Sequence, residues 1–173
     1  MAPFQLEEAT MRWSTIALTV AAALPLLVFV AAQAGLLSGR MPDDLGVTDG
    51  RLKAPSRTPN SVSSQFALWP GSPHRELAEV APLPLRGDGP ATIARLRQIV
   101  QAMPGAEIVT VREDYLYARF TTRWLKFVDD TEFWVDPRAQ VVQVRSASRV
   151  GRRDFGVNRA RVEAIRAALN AAP

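Results

Sequence analysis

The chain has 173 residues, of which 47% are hydrophobic, so it is long enough for one domain with its own core and an appendage. Its net charge of +4 is concentrated in residues 145–166, which hold seven arginines and two acidic residues. Because no basic stripe with stacking aromatics runs through the rest, nucleic acid is not an expected partner. The lack of cysteine excludes thiol chemistry, and the single histidine, His74, argues against a zinc site or a serine–histidine triad. We therefore expect no cofactor and no metal.

An uncharged apolar run predicts a transmembrane helix over residues 13–37, preceded by an N-terminal flank over residues 1–12. At about 1.5 Å per residue, a helix of this length covers a hydrocarbon core of roughly 30 Å. The alternative is a secretory signal cleaved after Ala34, since residues 32–34 have the small-x-small pattern of a cleavage site. The apolar run is long for a signal, which favours a permanent anchor.

The basic residues around this helix give conflicting indications of its orientation. Arg12 precedes the helix, and the basic residues that follow it are Arg40, Arg51, Lys53 and Arg57. The positive-inside rule alone would place the C-terminal domain in the cytoplasm. Only Arg40 lies close to the helix, however, and the cleavage-like pattern favours export. We expect an exported domain.

Residues 38–87 predict a proline-rich extension. Seven prolines interrupt this segment and leave few periodic signals, as in a linker or a functional extension. Phe66 and Trp69 make it too apolar for a free tether. We expect it to wrap onto the domain.

The remaining residues, 88–173, predict the α+β domain itself. A first helix ends before Pro104-Gly105, and two strand-like segments follow over residues 107–113 and 115–122. The face of this helix that we expect to be buried carries Ile93, Leu96, Val100 and Met103.

A hairpin over residues 130–146 comes next, with its loop at residues 136–139, and Asn158 is the expected N-cap of a last helix. The residues expected in the core are Phe133, Val135, Val142, Val144, Val162, Ile165 and Leu169. The order helix, four strands, helix predicts an α+β fold, a four-stranded antiparallel meander packed with two helices. The other face of the sheet is expected to meet the extension or a partner.

The arginine-rich stretch has two interpretations. Guanidinium groups, hydroxyls and a helix N-terminus suit a phosphate or carboxylate, such as a phospholipid headgroup. The candidate ligand-binding residues are Arg145, Ser146, Ser148, Arg149, Asn158 and Arg159. In the structural interpretation, which we favour, Asp129 and Asp130 pair with arginines and Asp154 caps the turn.

Asp129, Asp130 and Glu132 also have two interpretations. Three carboxylates in four residues suit a divalent cation, but neighbours in a strand point to opposite faces, so only Asp130 and Glu132 would cooperate. We favour pairing with arginines, and we predict no catalytic residue. The tryptophans expected in a core or an interface, rather than in a sugar platform, are Trp69, Trp124 and Trp134.

Three segments carry a family resemblance: TPNSVSSQ, FVDDTEFWVDP and VVQVRSASRVGRRDFGVNRARVEAIR. From about Gly50 to the C-terminus, the chain resembles an uncharacterised family, domain of unknown function 1499. The resemblance implies an exported or membrane-attached protein of bacteria or plastids, and it brings no activity with it. Similar sequences have cysteines at the positions of Pro55 and Ser61, which implies a structural disulfide that this chain lacks.

A non-catalytic accessory or interaction subunit is predicted by three features together: the anchor, the apolar extension and the scarcity of catalytic residue types. We expect its partner to be an integral membrane protein complex, with respiratory and photosynthetic complexes as the candidates, and we expect contact with membrane lipid. The expected location is the bacterial inner membrane, with a periplasmic domain on a single-pass anchor. The alternative is a binding domain, or an enzyme, for a small anionic ligand or a phospholipid headgroup.

Overall fold

A long helix, α1 (Pro3–Gln33), opens the chain in the computed structural model, which describes the backbone of residues 3–171 and the side chains of residues 12–171. Within it, Arg12–Gln33 has a mean hydropathy of 2.4 and is long and apolar enough to cross a membrane. The helix lies further toward the N-terminus than the predicted range of 13–37. Its extra turns fall in the predicted flank, where glutamine, leucine, glutamate and alanine favour helix.

A glycine ends α1 at Gln33, before the predicted end. Gly35 adopts φ +78°, a left-handed conformation that glycine tolerates best. The amides of Gly35 and Leu36 then donate to the carbonyls of Ala32 and Ala31 at 2.9 and 3.0 Å. This is the Schellman pattern, which satisfies the last carbonyls of a helix and turns the chain away from its axis.

The other elements form one sheet with two helices on one face, together with a 3₁₀ turn and one short helix from the extension. In chain order they are β1 (Ser61–Ser63), a 3₁₀ turn (Phe66–Leu68), α2 (Arg75–Ala78), β2 (Leu83–Pro84), α3 (Gly89–Gln101), β3 (Ala106–Val111), β4 (Tyr115–Thr121), β5 (Val128–Asp136), β6 (Val141–Ser148) and α4 (Val157–Ala171).

The sheet is antiparallel and runs in the order β1-β6-β5-β4-β3, with β2 also paired to β6. Strands β3 to β6 form a meander, and the α+β class with an apolar N-terminal helix is confirmed. The predicted strand number is wrong: the described residues contain six strands, not four. The two additional strands have three and two residues and come from the proline-rich extension, where no alternating pattern marks them. They occupy the edge of β6, whose backbone groups need partners.

One face of the sheet packs on α3 and α4 and holds the main core. The predicted helix residues Ile93, Leu96 and Val100 are at most 2% exposed. Phe133 and Ile165 meet them in the same cluster and are completely buried. Asp88 fixes the start of α3, because its carboxylate accepts from the Ala91 amide at 2.7 Å.

The opposite face is covered by the proline-rich extension. Leu52 is 1% exposed and packs with Tyr115, Tyr117 and Trp134 in a second, smaller cluster, which Leu45 borders. This strap, residues 45–52, lies over the part of the sheet that carries the charged side chains. The strap therefore limits the access of water to these charged side chains.

Candidate functional site

The six predicted ligand-binding residues do not form one group. Successive residues of β6 alternate between faces, so Arg145 lies under the strap, whereas Ser146 and Ser148 face α4. Arg149 follows β6 and continues the strap face, where it meets Asp130. Arg159 lies elsewhere, and its guanidinium donates to the carbonyls of Glu76 and Glu79 near the end of α2. These residues are near one another in sequence but are spread over three environments.

Arg149 and Asp130 form a bidentate buried pair. Arg149 Nε and Nη2 donate to the two carboxylate oxygens at 2.9 and 2.7 Å. Tyr117 donates its hydroxyl proton to Asp130 Oδ1 at 2.6 Å and accepts from Arg149 Nη2 at 3.2 Å. The hydrogen bond with Asp130 is the main reason that the pKa of Arg149 lies above its usual value. Both side chains are at most 5% exposed, and Nε and Nη2 of Arg149 are committed to Asp130 and Tyr117.

Arg145 and Glu132 form a second buried pair with poorer geometry. Arg145 Nη1 and Glu132 Oε2 are 3.7 Å apart, and among the described residues neither atom has a hydrogen-bond partner. The other carboxylate oxygen is well used, because the Tyr115 hydroxyl and the Gly46 amide of the strap donate to it at 2.7 and 2.6 Å. Burial raises the pKa of Glu132 and lowers that of Arg145, despite their mutual attraction.

Tyr115 and Tyr117 complete this charged face. Burial is the largest cause that raises the pKa of each phenol, and each carboxylate neighbour, Glu132 or Asp130, adds to it. Both tyrosines are therefore hydrogen-bond donors at neutral pH rather than bases. The four charged groups and two phenols form two neighbouring clusters on the strap face, one around Asp130 and one around Glu132.

A polar network also links the helix face of the sheet to α4. Asn158 Oδ1 accepts from Ser146 Oγ at 2.6 Å, and Ser146 shares a hydrogen bond of 2.8 Å with Thr131. Asn158 Nδ2 donates to Ser148 Oγ at 3.0 Å and to the Asn60 carbonyl at 3.2 Å. Every one of these side chains has an internal partner, which leaves little free capacity for a ligand.

The start of α4 corrects the predicted cap. The helix begins at Val157, so Asn158 lies inside its first turn and is completely buried. Asp154 instead holds the turn, because its carboxylate accepts from the amides of Gly156 and Asn158 at 3.2 and 2.8 Å. Asp154 therefore satisfies the helix N-terminus that the ligand interpretation requires to be free for an anion.

Asp129 lies on the helix face, opposite Asp130. Its partner is Arg161, whose Nη2 donates to Asp129 Oδ2 at 2.5 Å and whose guanidinium stacks 4.4 Å from the Phe120 ring centroid. The sheet therefore separates Asp129 from Asp130 and Glu132, which share the strap face. Within the described residues no cluster of three or more acidic or histidine side chains is arranged to hold a metal ion.

Sequence reasoning missed Arg161, Tyr115 and Tyr117 as members of these networks. The two-residue spacing of Tyr115 and Tyr117 along β4 is the one feature of the sequence that predicts a shared face for both side chains. Their meeting with Glu132 and Asp130 depends on the register of β4 against β5, which pairs Tyr117 with Glu132.

One cavity touches the network on the helix face, because its wall includes Arg161 beside Phe120 and Val157. An open groove of about 860 Å³ borders the strap, with Arg51, Gln65, Trp134 and Arg138 in its wall. None of the residues that line it belongs to either buried arginine pair. The groove gives a ligand access to the outside of the strap, not to the charges beneath it.

Comparison of the sequence with known proteins assigns the chain to a family. No curated protein matches it, and no solved structure matches it either. A family model described as protein of unknown function (DUF1499) matches residues 51–169, which contain the sheet, α2, α3, all but the last two residues of α4 and both arginine pairs. The match begins inside the strap and leaves α1 outside. The chain therefore belongs to the family of proteins of unknown function DUF1499.

Proposed function

We propose that the chain is a membrane-anchored, non-catalytic interaction subunit of a larger integral membrane protein complex. The observation that carries the proposal is the surface of α1. Leu18, Leu24, Leu26 and Leu27 are each 58–71% exposed, whereas the domain closes its own core without them. An apolar helix of 22 residues with this exposure needs lipid, protein or both around it.

The networks of the domain support the non-catalytic part of the proposal. A nucleophile, base or anion site needs a polar group that is free to meet its ligand. Arg149, Ser146 and Asn158 each spend their hydrogen bonds on other side chains. The alternative, an anionic-ligand site at these residues, has less support because a ligand would have to displace internal partners.

The location and the partner complete the proposal. The anchor would hold the domain at the bacterial inner membrane on the periplasmic side. The partner would be an integral complex of the respiratory or photosynthetic kind, which α1 and the domain contact together. Retention of α1 is essential, because a signal cleaved after Ala34 would release the domain.

The test is extraction of the C-terminally tagged full chain from native membranes in a gentle detergent, followed by sizing and mass spectrometry. We expect a large assembly with stoichiometric companions and with residues 3–33 still attached. A small particle that begins at Gly35 would overturn the anchor, and an intact chain that travels alone would overturn the complex.

A matched variant identifies the surface that holds the companion. Replacing residues 16–30 by leucines keeps a span of the same length but removes the shape of the helix surface. Loss of the companion from this variant assigns the contact to α1. Retention assigns it to the domain, and both results support an interaction subunit.

A further inference from the structure

The end of the domain that meets α1 has a surface of its own. We call it the α1 end and define it by the linker of residues 34–40, the β4–β5 loop of residues 122–127 and the β6–α4 loop of residues 149–156. Gln33 Nε2 donates to the Trp124 carbonyl at 2.9 Å, which joins the helix to the first loop. A Cβ on Gly39 would lie 2.7 Å from Arg149 Cβ, so the linker also touches the second loop.

Large apolar side chains project from all three segments. Phe155 is 93% exposed, Leu36 75% and Trp124 62%. The neighbouring Leu125 is also exposed, at 37%. Single exposed apolar residues are ordinary, but four of them at one end of a small domain indicate a contact surface.

The backbone holds two of these loops in an unusual conformation. Phe155 has φ +55° and Lys126 has φ +54°, in the left-handed region that bulky residues rarely adopt. Asp154 fixes the first of them through its bonds to the amides of Gly156 and Asn158. The Phe155 ring is thus directed into solvent by a turn that the protein stabilises, rather than by a loose loop.

The same end carries a concentration of positive charge. Its exposed or half-exposed basic residues are Arg40, Arg123, Lys126, Arg152 and Arg153. No ion pair among the described side chains includes any of the five. The one acidic residue in these segments, Asp154, is occupied by backbone amides. At the opposite end of the sheet, the β3–β4 turn mixes both signs, since Arg112 precedes Glu113 and Asp114.

We propose that the α1 end sits on the surface of an anionic phospholipid bilayer, with Trp124 and Phe155 in the interfacial region and the basic residues at the headgroup phosphates. The proposal rests on the anchoring in the proposed function. A span of 22 residues measures about 33 Å, close to the thickness of a hydrocarbon core, so the end of α1 at Gln33 reaches the interface. Aromatic rings and snorkelling lysine and arginine are the side chains that membrane interfaces favour.

Charge complementarity selects the lipid. Each basic residue near an anionic surface strengthens association by about fivefold, and a neutral surface gives no such gain. Five cations without an ion pair among the described side chains, one of which (Arg123) stacks on the Trp124 ring, therefore distinguish phosphatidylglycerol from phosphatidylcholine. A neutral bilayer would retain the anchor but would hold the domain less closely.

The chain itself offers a clean probe, because it contains no cysteine. We would reconstitute full-length Phe155→Cys in nanodiscs, label it with a nitroxide, and measure its accessibility to oxygen and to a water-soluble nickel complex. Val111→Cys is the matched control, since Val111 is 43% exposed at the opposite end of the sheet. We expect position 155 to lie in lipid in phosphatidylglycerol nanodiscs and position 111 to lie in water in both lipids.

A second variant tests the charges without touching the core. Arg152→Glu combined with Arg153→Glu, in the labelled chain, should reduce the lipid-contacting population in phosphatidylglycerol at least tenfold. The label at position 155 would overturn the inference if it were equally water-accessible in both lipids while the chain stayed in the nanodiscs. Burial of this label in native membranes but not in lipid-only nanodiscs would also overturn it, and would give the surface to a protein. Failure of the chain to enter nanodiscs would refute the anchor of the proposed function instead.

Discussion

The two buried arginine pairs under the strap differ more than their positions suggest. Both join a residue of β5 to an arginine at β6 or just beyond it, and each has a tyrosine of β4 beside it. Arg149 meets Asp130 through two hydrogen bonds, and the pKa of this arginine rises. Arg145 stays 3.7 Å from Glu132, and burial lowers the pKa of this arginine. Geometry, not proximity alone, decides whether a buried pair compensates for lost hydration.

The largest expected effect comes from breaking the better pair. Arg149→Ala would leave Asp130 buried with only Tyr117 as a partner, so we expect the free energy of unfolding to fall by about 3–5 kcal/mol. Urea unfolding of the full chain in mild detergent, followed by circular dichroism, measures it. Arg123→Ala is the control and should change stability by less than about 0.5 kcal/mol, because Arg123 is exposed. If Arg149→Ala were as stable as this control, Arg149 would be available to a ligand.

Alkaline titration tests the two buried pairs through the tyrosine beside each of them. Tyr115 and Tyr117 are the two tyrosines of the chain, and the folded state raises the pKa of both. In the unfolded chain they ionise near pH 10, so the stability they contribute is complete below about pH 10 and is lost as the pH rises further. The expected slope is about 1.4 kcal/mol per pH unit for each phenol.

Absorbance of tyrosinate measures this directly. We expect it to appear together with the loss of circular dichroism, in one transition. Tyr117→Phe should halve the amplitude and leave the phenol beside Glu132. A titration near pH 10 with the fold intact would contradict the buried, donor role of both phenols.

A smaller effect is expected where the linker crosses the better pair. A Cβ on Gly39 would lie 2.7 Å from Arg149 Cβ and 2.8 Å from Val150 Cγ1, and Gly39 has φ +70°. We expect Gly39→Ala to lower the free energy of unfolding by about 2 kcal/mol. Gly46→Ala is the matched control over the weaker pair, because Gly46 has φ +110° but open space around it. Thermal unfolding of both variants measures the difference, and equal losses would show that backbone strain alone is responsible.

The smallest effect is expected from removing the weaker pair as a whole. Glu132→Gln combined with Arg145→Met keeps an acceptor for Tyr115 and Gly46 and removes both buried charges. We expect stability to stay within about 1 kcal/mol of the parent or to increase. The corresponding double variant, Asp130→Asn with Arg149→Met, should lose more. Urea unfolding of the two double variants measures the difference. If the Glu132/Arg145 variant were the less stable of the two, the Glu132–Arg145 pair would be the better one.

The parts of the fold that sequence predicted are those with long, repeated signals. Helix α3 has an apolar face, a cap and a Pro-Gly stop, and β5 and β6 alternate around a turn. Strands β1 and β2 are too short to show a period, and their pairing depends on a β6 edge that lies about 60 to 85 residues further along the chain. Such pairing is a tertiary event without a local pattern.

In the candidate site, too, local patterns were predictable from the sequence and long-range contacts were not. Strand parity predicted that Asp130 and Glu132 share a face, and the same parity separates Arg145 from Ser146. The ligand interpretation groups those two residues in one site only because they are neighbours in sequence. Arg161 could not be placed, because its contact with Asp129 requires the rotation of α4 against the sheet.

The position of β6 has a consequence for the way the chain acquires its structure. Strand β6 lies between β5 and the pair β1 and β2, yet it is the last strand to be synthesised. The extension therefore has no sheet partner until β6 has been made, and the hairpin β5–β6 is the local step that can come first. Closing contacts across about 80 residues is slow compared with forming a hairpin, so docking of the extension is the expected late step of folding. In this order of events the charged face of the sheet stays hydrated until the extension docks, so the arginines and carboxylates under the strap are expected to lose their hydration late.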